Sequence, residues 1–239
     1  MNYAIVLSGG VGTRLGLTLP KQYYEVNGKP ILQYVIQTIE SCQAIDGFVV
    51  VAAEEWREYI HRLIGNEVKF LGFADPGENR QLSIYQGILA LGAYAKDEDR
   101  VLVQDAARPN TSEAVIRRCL SFMDEYDGAM PVLPMKDTIY ISKSGEEIEQ
   151  LMNRQELFAG QAPEGFVYGK YRRANERLLP DEILRINGAS EPAILAGMRI
   201  AMFPGDENNY KITTEVDLSR FVQQIEDKGR NESTRIRRN

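Results

Sequence analysis

Fourteen residues near the start of the chain concentrate groups that suit phosphate: SGGVGTRLGLTLPK, residues 8–21. Gly9, Gly10 and Gly12 follow an apolar run, and Arg14 and Lys21 come after them. Glycines placed directly after a strand let backbone N–H groups approach an anion, and a helical turn beyond them adds its dipole. The bland alternative is a tight strand-to-helix turn whose glycines merely permit positive φ. Glycines alone leave the two readings level. Two cations in the same loop favour phosphate, and a triphosphate needs that much neutralisation. Two common phosphate loops fail on spacing. No G-K-[ST] closes a P-loop, and Leu15 stands where G-x-G-x-x-G needs its last glycine, with Gly16 one place late. A nicotinamide dehydrogenase therefore drops out.

Asp105 ends the apolar run VLVQD. In open α/β sheets ligands bind at the carboxyl ends of strands, and a carboxylate there can hold Mg²⁺ bridging phosphates. The alternative is a helix cap, but Pro109, Asn110 and Thr111 intervene, and capping suits Thr111 better. Lys211, in NNYKITTEVDL, reads from spacing alone as a lysine reaching harmlessly to solvent. Arg154, in LMNRQELF, reads as a surface charge unless a partner chain carries it to a pocket. The single histidine, His61, lies on an amphipathic helix pattern away from these loops. No Ser/His/Asp or Cys/His arrangement is available, so an enzyme built here must work without a histidine base. Cys42 and Cys119 fall on apolar helical stripes and read as reduced core residues.

The elements that must position these residues alternate. Apolar runs at 3–7, 48–53, 68–73 and 100–104 read as buried strands. Helical stripes fill 29–42, 54–64 and about 80–93, and another carries Val115, Ile116, Cys119, Leu120 and Met123. Pro30 suits the first turn of the 29–42 helix. This predicts an α/β fold, a mostly parallel sheet with helices on both faces. GAMPVLPM then gives a strand, and residues of about 137–155 form an extended hairpin arm with a Ser-Gly turn. An arm too long to bury itself needs a cover, which predicts a homodimer. A helix near 168–178, late strands at MRIAMF and NYKIT, and a helix from TEVDLSRFVQQI complete the order. Thr214 and Asp217 stand at capping-box spacing before that last helix. We read residues 1–227 as one domain and 228–239 as a frayed polar tail.

The chain has 239 residues, a formal charge of −6 and 44% hydrophobic residues. That balance argues against a nucleic-acid partner but leaves room for a local cationic pocket. The opening MNYAIVLSGG has no charged leader and no long apolar stretch, so neither a secretory signal nor a membrane anchor is expected, and the cytoplasm is the expected location.

Several blocks together resemble one family. LSGGVGTRLG…PKQYYEVNGKPIL, ENRQLSIYQGI, VLVQDAARP, PVLPMKDTI, NRQELFAGQAPEGF and NYKITTEVDL are similar, in order, to the 2-C-methyl-D-erythritol 4-phosphate and ribitol-5-phosphate cytidylyltransferases. The resemblance spans roughly residues 3–220. It implies a Rossmann-like nucleotidyltransferase fold with a protruding, dimerising β-arm, with CTP as co-substrate and Mg²⁺ as cofactor. It implies that Arg14, Lys21 and Lys211 are the catalytic cations, with Gly9, Gly10 and Gly12 beneath the triphosphate. Ser8, Gly77, Glu78 and Ser83 would frame the nucleoside. Asp105 would hold the metal at the acceptor, and Thr138 and Arg154 would reach the acceptor phosphate from the other subunit.

The chain departs from that pattern in two places. The family typically reads Thr-Pro-Gln where this chain has Ala162, Pro163 and Glu164. The methylerythritol enzymes read Thr-Asp-Glu-Ala, and the ribitol enzymes usually keep a Ser/Thr-Asp pair, where it has Asn187, Gly188, Ala189 and Ser190. Both places belong to the acceptor side, so the reaction type is better specified than the acceptor. The implied reaction is attack by a phosphate monoester, largely dianionic at neutral pH, on the α-phosphorus of CTP. Such a nucleophile needs no proton removed, which suits a site without histidine. Two rivals stand beside this reading: a nucleotidyltransferase using a sugar phosphate and another NTP, and a non-catalytic nucleotide-binding protein. The DAARP block and the short chain disfavour the first. Retention of Lys211 and Arg154 beside the loop disfavours the second.

Overall fold

A computed structural model describes residues 1–10, 19–65 and 68–236, with side chains up to Arg230. Arg14 and Gly12 lie outside the described residues. The sheet runs β10 (Phe158–Gly160), β7 (Gly128–Pro134), β11 (Glu164–Val167), β6 (Arg100–Asp105), β1 (Asn2–Leu7), β4 (Gly47–Val51), β5 (Phe70–Ala74), with β12 (Ile200–Pro204) added on β7, while β2 (Glu25–Val26) and β3 (Lys29–Pro30) pair apart from it. Its centre is parallel: β1 (Asn2–Leu7) lies between β4 (Gly47–Val51) and β6 (Arg100–Asp105), and β5 (Phe70–Ala74) extends β4. These strands are continuous apolar runs because both of their faces are covered. Tyr3 and Ile5 point to one core, with Val49, Val51, Ile84, Ile88 and Tyr171. Ala4 and Val6 point to the other, with Leu32, Val35, Ile36, Phe48, Ile60 and Ile116. The alternation follows from the two-residue period of a strand. Helices α1 (Ile31–Ser41), α2 (Glu54–Ile64) and α4 (Glu113–Phe122) pack on the second core. Helices α3 (Arg80–Leu91), α5 (Tyr168–Glu176) and α6 (Glu191–Leu195) pack on the first. Both cysteines are buried free thiols.

Register sets the site. Leu7 pairs with both Asp105 and Val51, so the loop leaving β1 and the carboxylate ending β6 emerge side by side. Helix α3 closes tightly on β1 because Gly87 has no side chain; a Cβ there would meet Ile5 Cγ2 at 2.5 Å. That contact fixes the N-terminus of α3, which carries Arg80, near the same edge.

Beyond β6 the sheet changes direction. β11 (Glu164–Val167) inserts antiparallel between β6 and β7 (Gly128–Pro134). β10 (Phe158–Gly160) pairs antiparallel with the far end of β7, and β12 (Ile200–Pro204) pairs parallel along its other side. The predicted arm is present as a hairpin of β8 (Tyr140–Ile141) and β9 (Gln150–Leu151), with Gly145 at φ +79 in its turn. Tyr140, Ile141, Ile148 and Leu151 are exposed on it.

Three expectations are corrected. NYKIT is not a strand: residues 209–213 run as an irregular segment. Asn209 is fully buried and anchors the segment by side chain, donating to Ala162 O at 2.7 Å and accepting from Thr111 Oγ at 3.0 Å. Ser112, not Thr111, caps α4, its Oγ accepting from Val115 N, because Thr111 is committed to Gln104 and Asn209. Pro30 stands at the cap of α1, one residue before its first turn. The last helix, α7 (Glu215–Ile236), starts with the predicted capping box: Asp217 accepts from Thr213 and Thr214 and donates its N–H to Thr214 Oγ. It runs on to Ile236, into the segment read from sequence as a tail.

Candidate active site

A cleft of about 410 Å³ opens at the carboxyl ends of β1 and β6. Its walls bring together Gly9, Gly10, Lys21, Gly77, Glu78, Ser83, Asp105 and Lys211, which are eight of the residues singled out by sequence. The glycine loop is held from below. Gln22 is buried, and its Nε2 donates to Ser8 O at 2.7 Å and Gly10 O at 2.8 Å. Tyr23 stacks on Trp56 with ring centres 4.2 Å apart. Burial of these two neighbours in the 3-10 turn Lys21–Tyr23 leaves Lys21 on the cleft wall. Ser8 is buried, with its Oγ donating to Tyr23 Oη at 3.2 Å, so its hydroxyl serves the loop's foundation. Sequence reasoning missed Gln22, because a lone glutamine beside a lysine carries no pattern.

The second wall is the turn into α3. Gly77 N–H donates to Ser83 Oγ at 3.0 Å, Ser83 Oγ donates to Asn79 O at 2.9 Å, and Asn79 caps the helix by accepting from Leu82 N at 2.8 Å. A Cβ on Gly77 would lie 2.3 Å from Leu82 Cβ, so only glycine fits.

Asp105 forms the floor. Its Oδ1 meets Arg80 Nη2 at 3.1 Å, and its Oδ2 meets Lys211 Nζ at 3.2 Å and Arg108 Nε at 3.4 Å. Burial opposes its charge, but Arg80, Lys211 and Arg108 outweigh burial and hold the carboxyl well below the usual carboxylate range. It is therefore ionised at any working pH. Lys211 is thus a cleft residue and not the solvent-reaching lysine that its spacing suggests. Ile212 N–H donates to Ala107 O at 2.8 Å and Arg108 Nη1 to Asn209 O at 2.6 Å, which ties its segment to the loop after β6. Arg80 and Arg108 stood inside quoted blocks without being singled out. Their roles appear only once α3 and β6 are adjacent.

Glu164 is also buried here, its Oε1 3.8 Å from Arg80 Nη2. Burial is the main influence on it, and the nearby Asp105 charge adds to the effect. Arg80 and the N–H of Ser190 only partly compensate, so its carboxyl is pushed up to about 7. The two departures from the family pattern therefore meet: Glu164 comes from one and Ser190 from the other.

Thr138 and Arg154 are not brought to this cleft. Both are exposed on or beside the arm, and Arg154 Nη1 donates to Lys136 O at 2.9 Å. Among the described residues no group of three or more His, Cys, Asp or Glu could cage a metal. Asp105, an ionised carboxylate on the cleft wall, instead fits Mg²⁺, which is commonly held by one or two carboxylates together with substrate phosphates.

The chain matches, over residues 2–225, the family model described as IspD: 2-C-methyl-D-erythritol 4-phosphate cytidylyltransferase. It belongs to that family. A 2-C-methyl-D-erythritol 4-phosphate cytidylyltransferase of Clostridium botulinum is 32% identical over 217 residues, covering 90% of this chain and 95% of the relative. A ribitol-5-phosphate cytidylyltransferase of Streptococcus agalactiae serotype Ia is 32% identical over 228 residues, covering 92% and 94%. A solved 4-diphosphocytidyl-2C-methyl-D-erythritol synthase from Anaerococcus prevotii superposes with a TM-score of 0.81 at 21% identity, over 94% of this chain and 98% of that one. At that identity the likeness speaks to the fold. As an IspD-family member the chain is a cytidylyltransferase. That sets aside both the other-NTP and the non-catalytic readings. No helix among the described residues is long and apolar enough to cross a membrane.

Proposed function

We propose that this cytidylyltransferase transfers CMP from CTP to a small polyol phosphate of the methylerythritol 4-phosphate or ribitol 5-phosphate type, releasing pyrophosphate. The observation that carries the reading is the meeting of Lys21, Lys211 and Asp105 with two glycine turns in one cleft. The acceptor's phosphate oxygen forms a bond to the α-phosphorus while the bond to the β-phosphate oxygen breaks. The leaving pyrophosphate takes that electron pair, and no proton moves. The obstacle is the approach of two anions. Lys21 and Lys211 hold the phosphoryl oxygens on which charge builds, and the glycine turns let backbone reach the triphosphate. Asp105 would hold Mg²⁺, which when bound screens the phosphates and stabilises the leaving group. Arg14, outside the described residues, is assigned to the far phosphates by the family resemblance alone.

We further propose a homodimer joined through the arm, in which Thr138 and Arg154 reach the acceptor phosphate of the other subunit. The apolar exposure of Tyr140, Ile141, Ile148 and Leu151 supports it. A charge of −6 speaks against a nucleic-acid partner, and we place the enzyme in the cytoplasm without a membrane partner. The test is pyrophosphate release from CTP and Mg²⁺ with methylerythritol 4-phosphate, ribitol 5-phosphate and related polyol phosphates, each also paired with ATP, GTP and UTP. Release with CTP and one polyol phosphate is expected. Release only with another nucleotide would overturn the assignment.

A further inference from the structure

The reaction as drawn makes no use of Glu164, although it is a buried carboxylate at the foot of the site. Arg80 Nη2 stands between two carboxyl groups, 3.1 Å from Asp105 Oδ1 and 3.8 Å from Glu164 Oε1. The second carboxyl group has its own setting. Glu164 opens β11, opposite Val103 in the antiparallel ladder with β6, and the nearby backbone N–H of Ser190 favours its charge. Asp105, by contrast, already meets Arg80, Arg108 and Lys211 with its two oxygens. It lines the cleft, whereas Glu164 stands behind it. An Asp105 that turned to hold Mg²⁺ beside a bound triphosphate would loosen at least one of those cations. Arg80 lines the cleft but is two-thirds covered, and a guanidinium left there without a carboxylate is unfavourable. Arg80 is the cation with a second carboxylate in reach.

We propose that Glu164 is a positioning residue that receives Arg80 when Asp105 engages the nucleotide, so that the site exchanges partners without stranding a charge. The proposal rests on the cytidylyl-transfer reading, which is what brings a triphosphate to Asp105. It also gives a reason for the paired departures from the family pattern. Residues 187–190 contain no acid, and Glu164 supplies a carboxylate where a glutamine is usual.

The experiment is a double-mutant cycle in CTP-dependent pyrophosphate release, using wild type, Glu164→Gln, Arg80→Ala and the double variant. Glu164→Asp is added, and thermal melts confirm folding. Glu164→Gln is expected to lower kcat about tenfold with KM for CTP changed less than about twofold, and in the Arg80→Ala background to have no further effect. Glu164→Asp, which keeps the charge, should retain more activity than the isosteric glutamine. Additive losses in the cycle, or a glutamine variant as active as wild type, would overturn the proposal while wild-type turnover leaves cytidylyl transfer standing. Absence of wild-type turnover with every polyol phosphate would overturn both. If Arg80→Ala does not fold, Arg80→Gln takes its place in the cycle.

Discussion

Asp105 is surrounded by more positive charge than one carboxylate neutralises: Arg80, Arg108 and Lys211 all meet it, and Lys21 stands on the same cleft wall. That excess is what a triphosphate would find. The residues divide into those that act on phosphate and those that also hold the fold, and substitution separates them. Lys21→Ala is expected to lower kcat on the order of 100-fold, about 3 kcal/mol, with the melting temperature unchanged, because in the proposed reaction the lysine serves charge that develops at the transferred phosphoryl group. Near-normal turnover would remove it from the mechanism. Asp105→Asn should lose both turnover and about 3 kcal/mol of stability, since it leaves neighbouring cations uncompensated in a buried wall; urea melts read that second loss. At this scale the sequence was legible where types cluster locally, as in the glycine loop with Lys21 and in Asp105 at a strand end. Arg80, Arg108 and Gln22 were not, and from spacing alone neither was Lys211. Their partners lie far away along the chain, and no local period records such a contact.

Elements aim these side chains through a few rigid turns. The segment 77–83 is the clearest: Gly77, Asn79 and Ser83 lock one another, and the α3 cap places Arg80. Gly77→Ala puts a Cβ 2.3 Å from Leu82 Cβ and 2.7 Å from its carbonyl carbon. Backbone must move, so CTP affinity should fall at least about tenfold, with a stability loss of about 1–3 kcal/mol; calorimetric titration with CTP and a melt measure the two. The arm makes a different demand. A two-stranded hairpin is marginal alone, and this one carries exposed Tyr140, Ile141, Ile148 and Leu151. Under the proposed dimer, replacing Ile141 and Leu151 together by Glu is expected to yield monomers in sedimentation and to raise KM for the acceptor, because Thr138 and Arg154 would lose the neighbouring site. A dimer that survives the double change would place the interface elsewhere. Strand and helix positions were legible through hydrophobic period, with α2 matching residue for residue. The segment around Lys211 was misread as a strand because alternation in NYKIT imitates one, while its actual anchor is the buried Asn209.

Across the whole molecule, the antiparallel strand β11 joins the parallel half of the sheet to β7, and it carries Glu164 into the interior. That placement sets stability against function. Glu164 faces Arg80 from α3, Asp105 and Arg108 from the end of β6, Cys119 from α4 and Tyr171 from α5. Burial is the largest influence, and it keeps the carboxyl protonated up to about 7. The unfolded chain loses that proton near 4.5, so between those values the folded state binds more protons than the unfolded one. Stability from this group is therefore present in full below 4.5 and declines as pH rises toward 7, by at most about 3 kcal/mol. Glutamine has no such titration. Comparing wild type with Glu164→Gln cancels the remaining carboxylates, which both proteins share. The difference in unfolding free energy, read from urea melts, should shift in favour of the glutamine variant on going from pH 5 to pH 8. A difference that stays constant across that range would mean that Glu164 is already charged in the folded enzyme at pH 5, held by Arg80 more strongly than burial opposes it.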